Sequence, residues 1–207
     1  MALEVVTVQG GRLRTVEGPD GEPAIDFPAY VPSGAYPRAV LTVTSTGDED
    51  DLDPGDGAFA WGADFRLDAR NEGRTNDNGN NLLQRGLRTD PTSFKAELDH
   101  SRPACTVRGT DGILGVRQSE PVTYGVWYRM RCEREGDQLT VRSWRVDAPD
   151  DVLAKTRRGP TGAMEMSGLP LSVGGKIAPD GEIVDDGTDQ FNGSVAEAFV
   201  DIDPDDE

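Results

Sequence analysis

Two residue types are scarce enough in this 207-residue chain to restrict its chemistry. There are two cysteines, Cys105 and Cys132, and a single histidine, His100. Two cysteines permit one intramolecular disulfide, or they remain as two buried thiols. One histidine and no CxxC pair argue against a zinc site, which is usually built from several cysteines and histidines.

His100 stands between Asp99 and Ser101, which raises the question of a hydrolytic site. An imidazole can take a proton from a serine hydroxyl when a carboxylate orients it. Adjacent residues on a strand or turn rarely face the same way, however, and triads assemble from distant segments. The sequence therefore favours a histidine held in a turn over a catalytic one.

Carboxylates are abundant: 38 Asp and Glu against 21 Lys and Arg give a net charge of −17. Carboxylate oxygens are the ligands that Ca²⁺ prefers. One candidate for calcium is an acidic loop that lacks the ligand order of an EF-hand, with Asp48, Asp50, Asp51, Asp53 and Asp56. The alternative is a solvated loop.

Five side chains on two consecutive segments have the chemistry to bind a ligand. They fall opposite the apolar residues of their segments and are Trp127, Trp144, Arg129, Arg131 and Arg142. Tryptophans can stack on sugar rings, and a stripe of arginines can meet an acidic ligand. The alternatives are tryptophans packed against a second sheet and arginines paired with Glu133 and its neighbours across the strands.

The elements that must position these groups are set by alternation of apolar and polar residues. In 59–67 every odd position is apolar, which places Trp61 in the core, and 94–99 and 126–133 alternate likewise. Such segments bury one face, as strands of antiparallel sheets do. Shorter strands are predicted at 5–8, 39–44, 81–84, 105–108, 138–144, 169–173 and 194–202.

The remaining chain is dominated by connections. Long loops are predicted at 47–57, 69–80, 148–168 and 179–190, and a solvated acidic tail at 203–207. No window of a dozen residues keeps a helical stripe, and no second hydrophobic block requires its own core. The sequence predicts one all-β domain over residues 1–207, a sandwich or jelly roll.

Several short motifs occur in an order that resembles a known superfamily. They include Ile25-Asp26-Phe27, the corner at 82–86, a cysteine strand at 103–109, and a tryptophan-led strand at 127–136 with its partner at 138–144. Over roughly residues 20–202 this order resembles the concanavalin A-like lectin/glucanase superfamily, and within it the laminin-G-like jelly rolls. The resemblance implies a jelly-roll sandwich of two antiparallel sheets.

The resemblance also carries two expectations about sites. It makes the segments of Cys105 and Cys132 neighbours, which favours a cross-strand disulfide and an oxidising or extracellular compartment. It brings the two chain ends together, where a structural Ca²⁺ is predicted among Asp26, Asp185, Asp186, Asp189 and Asp201.

Catalytic motifs of the related enzymes are missing. The Glu-x-Asp-x-x-Glu strand of the glucanases is absent, and Glu97-Leu98-Asp99 is the nearest approach to it. The cleft strands of the jelly-roll polysaccharide lyases are absent too. The sequence therefore predicts a protein that is not an enzyme.

The predicted function is a non-catalytic module that recognises carbohydrate or protein outside the cell, with a glycan or a cell-surface protein as partner. The alternative is a virion or surface-assembly structural protein, a decoration or adhesin domain. A polysaccharide lyase or glycoside hydrolase comes third.

Charge and hydropathy exclude other partner classes. The net charge of −17 argues against nucleic acid and anionic membrane surfaces. No stretch of 18 apolar residues predicts membrane insertion. The first residues do not read as a signal peptide, so either a leader is removed or the protein reaches its place another way, as in a virion. Ligand identity and oligomeric state are not predicted.

Overall fold

A computed structural model describes residues 1–29, 31, 36–47, 50–68, 79–166, 168–184 and 187–204. These residues form fourteen strands and a short 3₁₀ turn, Pro19–Gly21. In chain order the strands are β1 (Ala2–Val8), β2 (Arg14–Glu17), β3 (Pro23–Asp26), β4 (Arg38–Thr44), β5 (Phe59–Leu67), β6 (Asn80–Arg85), β7 (Ser93–Asp99), β8 (Arg102–Gly109), β9 (Gly112–Arg117), β10 (Trp127–Glu135), β11 (Gln138–Arg145), β12 (Ala148–Arg158), β13 (Leu171–Val173) and β14 (Gly193–Ile202).

The strands build two antiparallel sheets of seven strands each. The first sheet has the order β1-β4-β13-β6-β7-β8-β9, and the second has the order β12-β11-β10-β5-β14-β3-β2. Strands that are distant in sequence lie side by side in both sheets, as in a jelly roll. The prediction of an all-β jelly-roll sandwich is confirmed.

Aromatic side chains between the sheets form the centre of the core. Phe59 and Trp61 of β5 stack with ring centroids 4.6 Å apart, and Phe94 of β7 reaches across from the other sheet to within 5.4 Å of Trp61. All three are fully buried. The odd positions of β5 supply one wall of the core, as the sequence predicted. The expectation that its other face is exposed is wrong, because Ala60, Gly62 and Asp64 are buried as well.

The disulfide crosses this core. Cys105 of β8 is bonded to Cys132 of β10, so the predicted pairing is present. The expectation that it joins neighbouring strands is wrong, because β8 belongs to the first sheet and β10 to the second. The two Cα atoms are 5.8 Å apart, whereas facing sheets usually lie about 10 Å apart. The sheets therefore converge at this point.

The segment predicted as a long loop at 148–168 is largely a strand. Ala148–Arg158 forms β12, an eleven-residue strand at the edge of the second sheet, paired with β11 through a two-residue turn. All of its residues but the first are exposed. A strand that buries neither face has no reason to alternate, which is why its sequence gave no signal.

The described part of the acidic loop is attached to the body of the sandwich. Asp50 forms an ion pair with the buried Arg85, and its other oxygen accepts a hydrogen bond from the Leu52 amide. Asp53 accepts a hydrogen bond from the Met166 amide at 3.0 Å. Leu52 itself is buried in the core. Two of the carboxylates proposed as calcium ligands, Asp50 and Asp53, are thus bound to the protein's own groups. Asp51 and Asp56 are exposed, and Asp48 lies outside the described residues.

The first prediction concerns the disulfide. Replacing both cysteines, Cys105→Ala with Cys132→Ala, is expected to lower the free energy of unfolding by about 3–4 kcal/mol, because the bond closes a loop of about 27 residues in the unfolded chain. Urea denaturation of both proteins measures the difference. Two free thiols in the denatured, unreduced wild-type protein would contradict the bond.

The second prediction concerns the acidic loop. Asp50→Ala is expected to destabilise the fold by about 3 kcal/mol, because it leaves the buried guanidinium of Arg85 without its carboxylate. Asp51→Ala is the matched control, since that neighbour is exposed and its removal should cost less than about 0.5 kcal/mol. Equal thermal shifts for the two variants would show that the ion pair does not hold the loop.

Candidate functional site

The outer face of the second sheet carries the candidate site. Met130 and Cys132 of β10 point into the core, so Arg129 and Arg131 point outward from the same strand. On β11, Arg142 and Trp144 point outward by the same alternation. Binary patterning places all of these side chains on one surface.

A groove runs across this surface. Its volume is about 790 Å³, and its floor is formed by β10 and β11 while β14 provides one wall. The residues that bear on its chemistry are Arg129, Arg131, Glu133, Arg142, Trp144, Glu197 and Phe199.

The register of the two floor strands sets which side chains meet. Arg129 lies directly opposite Trp144, and Arg131 lies opposite Arg142. Four of the five predicted ligand-binding residues therefore line one groove. Trp127 does not line it: this side chain lies on the same face beyond the groove, with the guanidinium of Arg66 5.5 Å from its ring centroid.

Arg129 is held by a buried carboxylate. Its Nε and one Nη donate to the two oxygens of Asp64 at 2.5 and 2.7 Å. Asp64 belongs to β5, directly opposite Arg129, and is only 1% exposed. The hydrogen bond to Asp64 raises the pKa of Arg129 above its usual value. This bidentate pair fixes the guanidinium plane.

Arg131 and Arg142 share a second carboxylate. Both donate through Nε to Glu133, at 2.7 and 3.0 Å respectively. Partial burial acts to raise the pKa of Glu133, but the hydrogen bonds from the two arginines outweigh it and lower that pKa. The cross-strand pairing that the sequence left open as an alternative is the arrangement found.

These pairs leave the groove close to electroneutral. The arginines that point into the groove are Arg129, Arg131 and Arg142, and the carboxylates around them are Glu133, Glu135, Glu197 and, beneath Arg129, Asp64. The stripe expected to attract an acidic ligand is therefore a set of ion pairs. The groove therefore presents hydrogen-bond donors and acceptors side by side in fixed positions.

The wall of the groove was not predicted. β14 has an irregular register between Ala196 and Phe199, and Glu197 adopts a positive φ of 47° within this bulge. Non-glycine residues in that region cost about 1 kcal/mol or more. The bulge brings Phe199 against Arg131, whose guanidinium carbon lies 5.6 Å from the ring centroid. In the sequence, this bulge is indicated by the loss of apolar–polar alternation over residues 196–199.

The acidic residues predicted near the chain ends are dispersed. Asp26 lies opposite Ser194 and accepts its hydroxyl hydrogen bond, while Asp201 lies seven residues further along β14, roughly 20 Å away. These two carboxylates cannot share one ion. Asp189 forms an ion pair with Lys176 and accepts a hydrogen bond from an amide.

The remaining two members of that set, Asp185 and Asp186, lie outside the described residues. Among the residues that are described, no three His, Cys, Asp or Glu side chains are grouped to hold a metal ion. The described part of the predicted set does not fit a shared calcium site, and calcium binding stays a prediction.

His100 is located in a turn, as the sequence favoured. It joins β7 to β8, and both His100 and Ser101 have positive φ angles, of 52° and 61°. The His100 Nε2 atom is 3.6 Å from Asp99, too far for a good hydrogen bond. Ser101 Oγ instead makes a hydrogen bond with the hydroxyl of Tyr124 at 3.1 Å. The three adjacent residues do not form a triad.

No family model matches the sequence, and no curated protein matches it significantly. The structure is similar to the LG1–3 region of the laminin alpha2 chain, with a TM-score of 0.59 and 15% identity over 78% of this chain and 30% of that one. The fold is a concanavalin A-like, laminin-G-like jelly roll.

Two further solved structures share this jelly roll. One is the enzymatically active domain of tailspike protein 2 of bacteriophage CBA120, with a TM-score of 0.60 and 13% identity over 97% of this chain and 28% of that one. The other is domain 4 of AbnA, a GH43 extracellular arabinanase from Geobacillus stearothermophilus, solved in complex with arabinotriose. Its TM-score is 0.57, with 11% identity over 96% of this chain and 81% of that one.

The jelly roll spans about a third of the laminin and tailspike chains that it matches. At these identities the likeness concerns the fold. Within the described residues, no helix is long and apolar enough to cross a membrane.

The third prediction concerns Glu133. Because its pKa is lowered in the folded protein, it contributes stability that is fully present above the ordinary glutamate pKa of about 4.3 and is lost as the pH falls through the folded-state value. The stability advantage of the wild-type protein over Glu133→Gln should therefore be constant near neutral pH and shrink in acid. Urea denaturation across that pH range measures it.

Glu135→Gln is the control, because it removes the same charge from the same strand without a hydrogen-bonded arginine. An advantage over Glu133→Gln that stays constant down to pH values well below 4.3 would contradict the prediction. An NMR titration of the Glu133 carboxyl gives the same answer directly.

Proposed function

We propose that this jelly roll is a non-catalytic module that binds a neutral glycan, outside the cell, in the groove on the outer face of the second sheet. The observation that carries the proposal is the floor of the groove. There, a half-buried tryptophan stands beside arginines whose charges are already compensated by carboxylates.

Such a floor fits the two surfaces of a sugar. A pyranose or furanose ring has an apolar C–H face, which stacks favourably on an indole such as Trp144. Its rim carries hydroxyl groups, each of which both donates and accepts hydrogen bonds. A guanidinium donates and the adjoining carboxylate accepts, so the Arg142–Glu133–Arg131 group can serve neighbouring hydroxyls at once.

The charge of the protein favours neutral ligands over anionic ones. The arginines of the groove make their ion pairs internally, so little net positive charge is available to an acid. The whole chain carries −17, which repels polyanions at long range. The positive charge of Arg129 is already compensated by the buried carboxylate of Asp64, so an anionic glycan would gain less from this arginine than from an unpaired one.

Two further observations support a glycan-binding role outside the cell. The Cys105–Cys132 disulfide is typical of proteins that mature in an oxidising compartment. A jelly roll of similar size, domain 4 of the arabinanase AbnA, was solved with arabinotriose bound. The non-catalytic assignment depends on the missing sequence motifs and on the placement of His100 in a turn far from any triad geometry.

The fourth prediction tests the groove. On an array of neutral and uronate-containing oligosaccharides, the wild-type protein is expected to bind members of the neutral set. Trp144→Ala should weaken that binding by roughly tenfold or more, because it removes the stacking surface. Isothermal titration with the best array ligand measures the change.

Trp127→Ala is the matched control, since Trp127 lies on the same face but outside the groove. It should leave the affinity within about twofold, well under the tenfold that corresponds to 1.4 kcal/mol. Equal losses for the two tryptophan variants would place the site elsewhere, and no binding to any oligosaccharide would overturn the function.

A further inference from the structure

The edge strand β12 is unusual for its length and exposure. It has eleven residues, and all but the first are exposed. It ends the second sheet, so within the described chain no strand pairs with its outer edge. Val152 and Leu153 are 44% and 47% exposed on its two faces.

An open edge of this length needs a physical explanation. Unpaired strand edges invite association, and monomeric proteins usually keep them short, bulged or covered. Strands in globular proteins average five or six residues and gain stability by burying at least one face. β12 buries neither face, and it leaves a backbone edge of roughly 35 Å available for hydrogen bonding.

The charges of β12 are divided between its two ends. Asp150 and Asp151 lie near the beginning, and Lys155, Arg157 and Arg158 lie near the end. In the described structure none of these five side chains forms an ion pair. An acidic half followed by a basic half is self-complementary when two copies of the strand run antiparallel.

We propose that β12 is a homodimer interface, in which it pairs antiparallel with β12 of a second copy about a twofold axis at Ala154. Positions equally distant from Ala154 then face each other. Asp150 lies opposite the partner's Arg158, and Asp151 lies opposite the partner's Arg157. By symmetry each contact occurs twice, which gives four new ion pairs, two on each face of the strand pair.

The local hydrogen bonds are compatible with this pairing. The Gln118 side chain donates to the Leu153 carbonyl at 2.8 Å, and a carbonyl has a second lone pair for an amide of the partner. Arg157 donates to the Gly115 carbonyl at 3.1 Å, across to the edge of the first sheet. In the dimer this guanidinium turns to the partner's carboxylate and water replaces it at Gly115.

The same symmetry favours pairing with a second copy over pairing with an unrelated strand or growth into an open fibre. A twofold axis perpendicular to the sheet consumes both free β12 edges at once, so the assembly closes at two subunits. It produces a continuous sheet of fourteen strands. Because the axis is perpendicular to the sheet, both outer faces, and so both grooves, lie on the same side of the dimer.

The fifth prediction is a charge-swap test. The wild-type protein is expected to be a dimer by analytical ultracentrifugation at submillimolar concentration. Arg157→Asp with Arg158→Asp, and separately Asp150→Arg with Asp151→Arg, should each weaken self-association at least tenfold through like-charge contacts. Mixing the two variants should restore a dimer that contains one copy of each.

Two further variants of this protein complete the test. The fourfold variant with both swaps in one chain is again self-complementary and should dimerise. Arg14→Asp, at the opposite edge of the same sheet, is the control and should leave the dimer intact. A monomeric wild-type protein, variants that still self-associate, or a mixture that does not reassociate would each overturn the interface, whatever the groove binds.

Discussion

The bond between Cys105 and Cys132 is the constraint on which the rest of the structure depends. It connects β8 in one sheet with β10 in the other and holds their backbones much closer together than two packed sheets normally lie. The strands beside them, β9 and β11, come close to each other at the same side of the sandwich. On the outer surface of β10, Arg131 and Glu133 flank the bonded cysteine, so the floor of the groove is anchored directly to this covalent link.

Two buried arginines hold together loops of this acidic molecule that strand pairing does not connect. Arg85 joins the acidic loop to the loop before β13 by contacting Asp50 and the Leu169 carbonyl. Arg134 donates to the carbonyls of Gly57 and Gly162, and its burial lowers its pKa. Both guanidiniums lie almost wholly inside the protein. Carboxylates are thus in surplus on the surface, whereas the arginines that hold the loops together are buried.

Sequence reasoning succeeded where apolar and polar residues alternate along a strand. β5 and β10 were located from alternation, and the outward side of β10 and β11 followed from the same pattern. Alternation gives the face of a residue but not the sheet to which its strand belongs, so Cys105 and Cys132 were expected to be neighbours. The pattern has no signal for β12, which buries neither face, or for the bulge that places Phe199 at the groove. Whether arginines are free for a ligand or pair with carboxylates such as Asp64 and Glu133 depends on strand register, which a single sequence does not define.

The period of two in β10 and β11 has a consequence for how such proteins diversify. Each core position is followed by a position in the groove, so the two sets of residues are interleaved in sequence but separated in space by the sheet itself. A substitution among the outward positions changes the surface of the groove without altering the packing of Met130, Leu139 or Val141 behind it. Selection can therefore act on the groove surface and on folding almost independently. The groove side of this sheet can therefore change in sequence while the packing behind it, and with it the fold, persists.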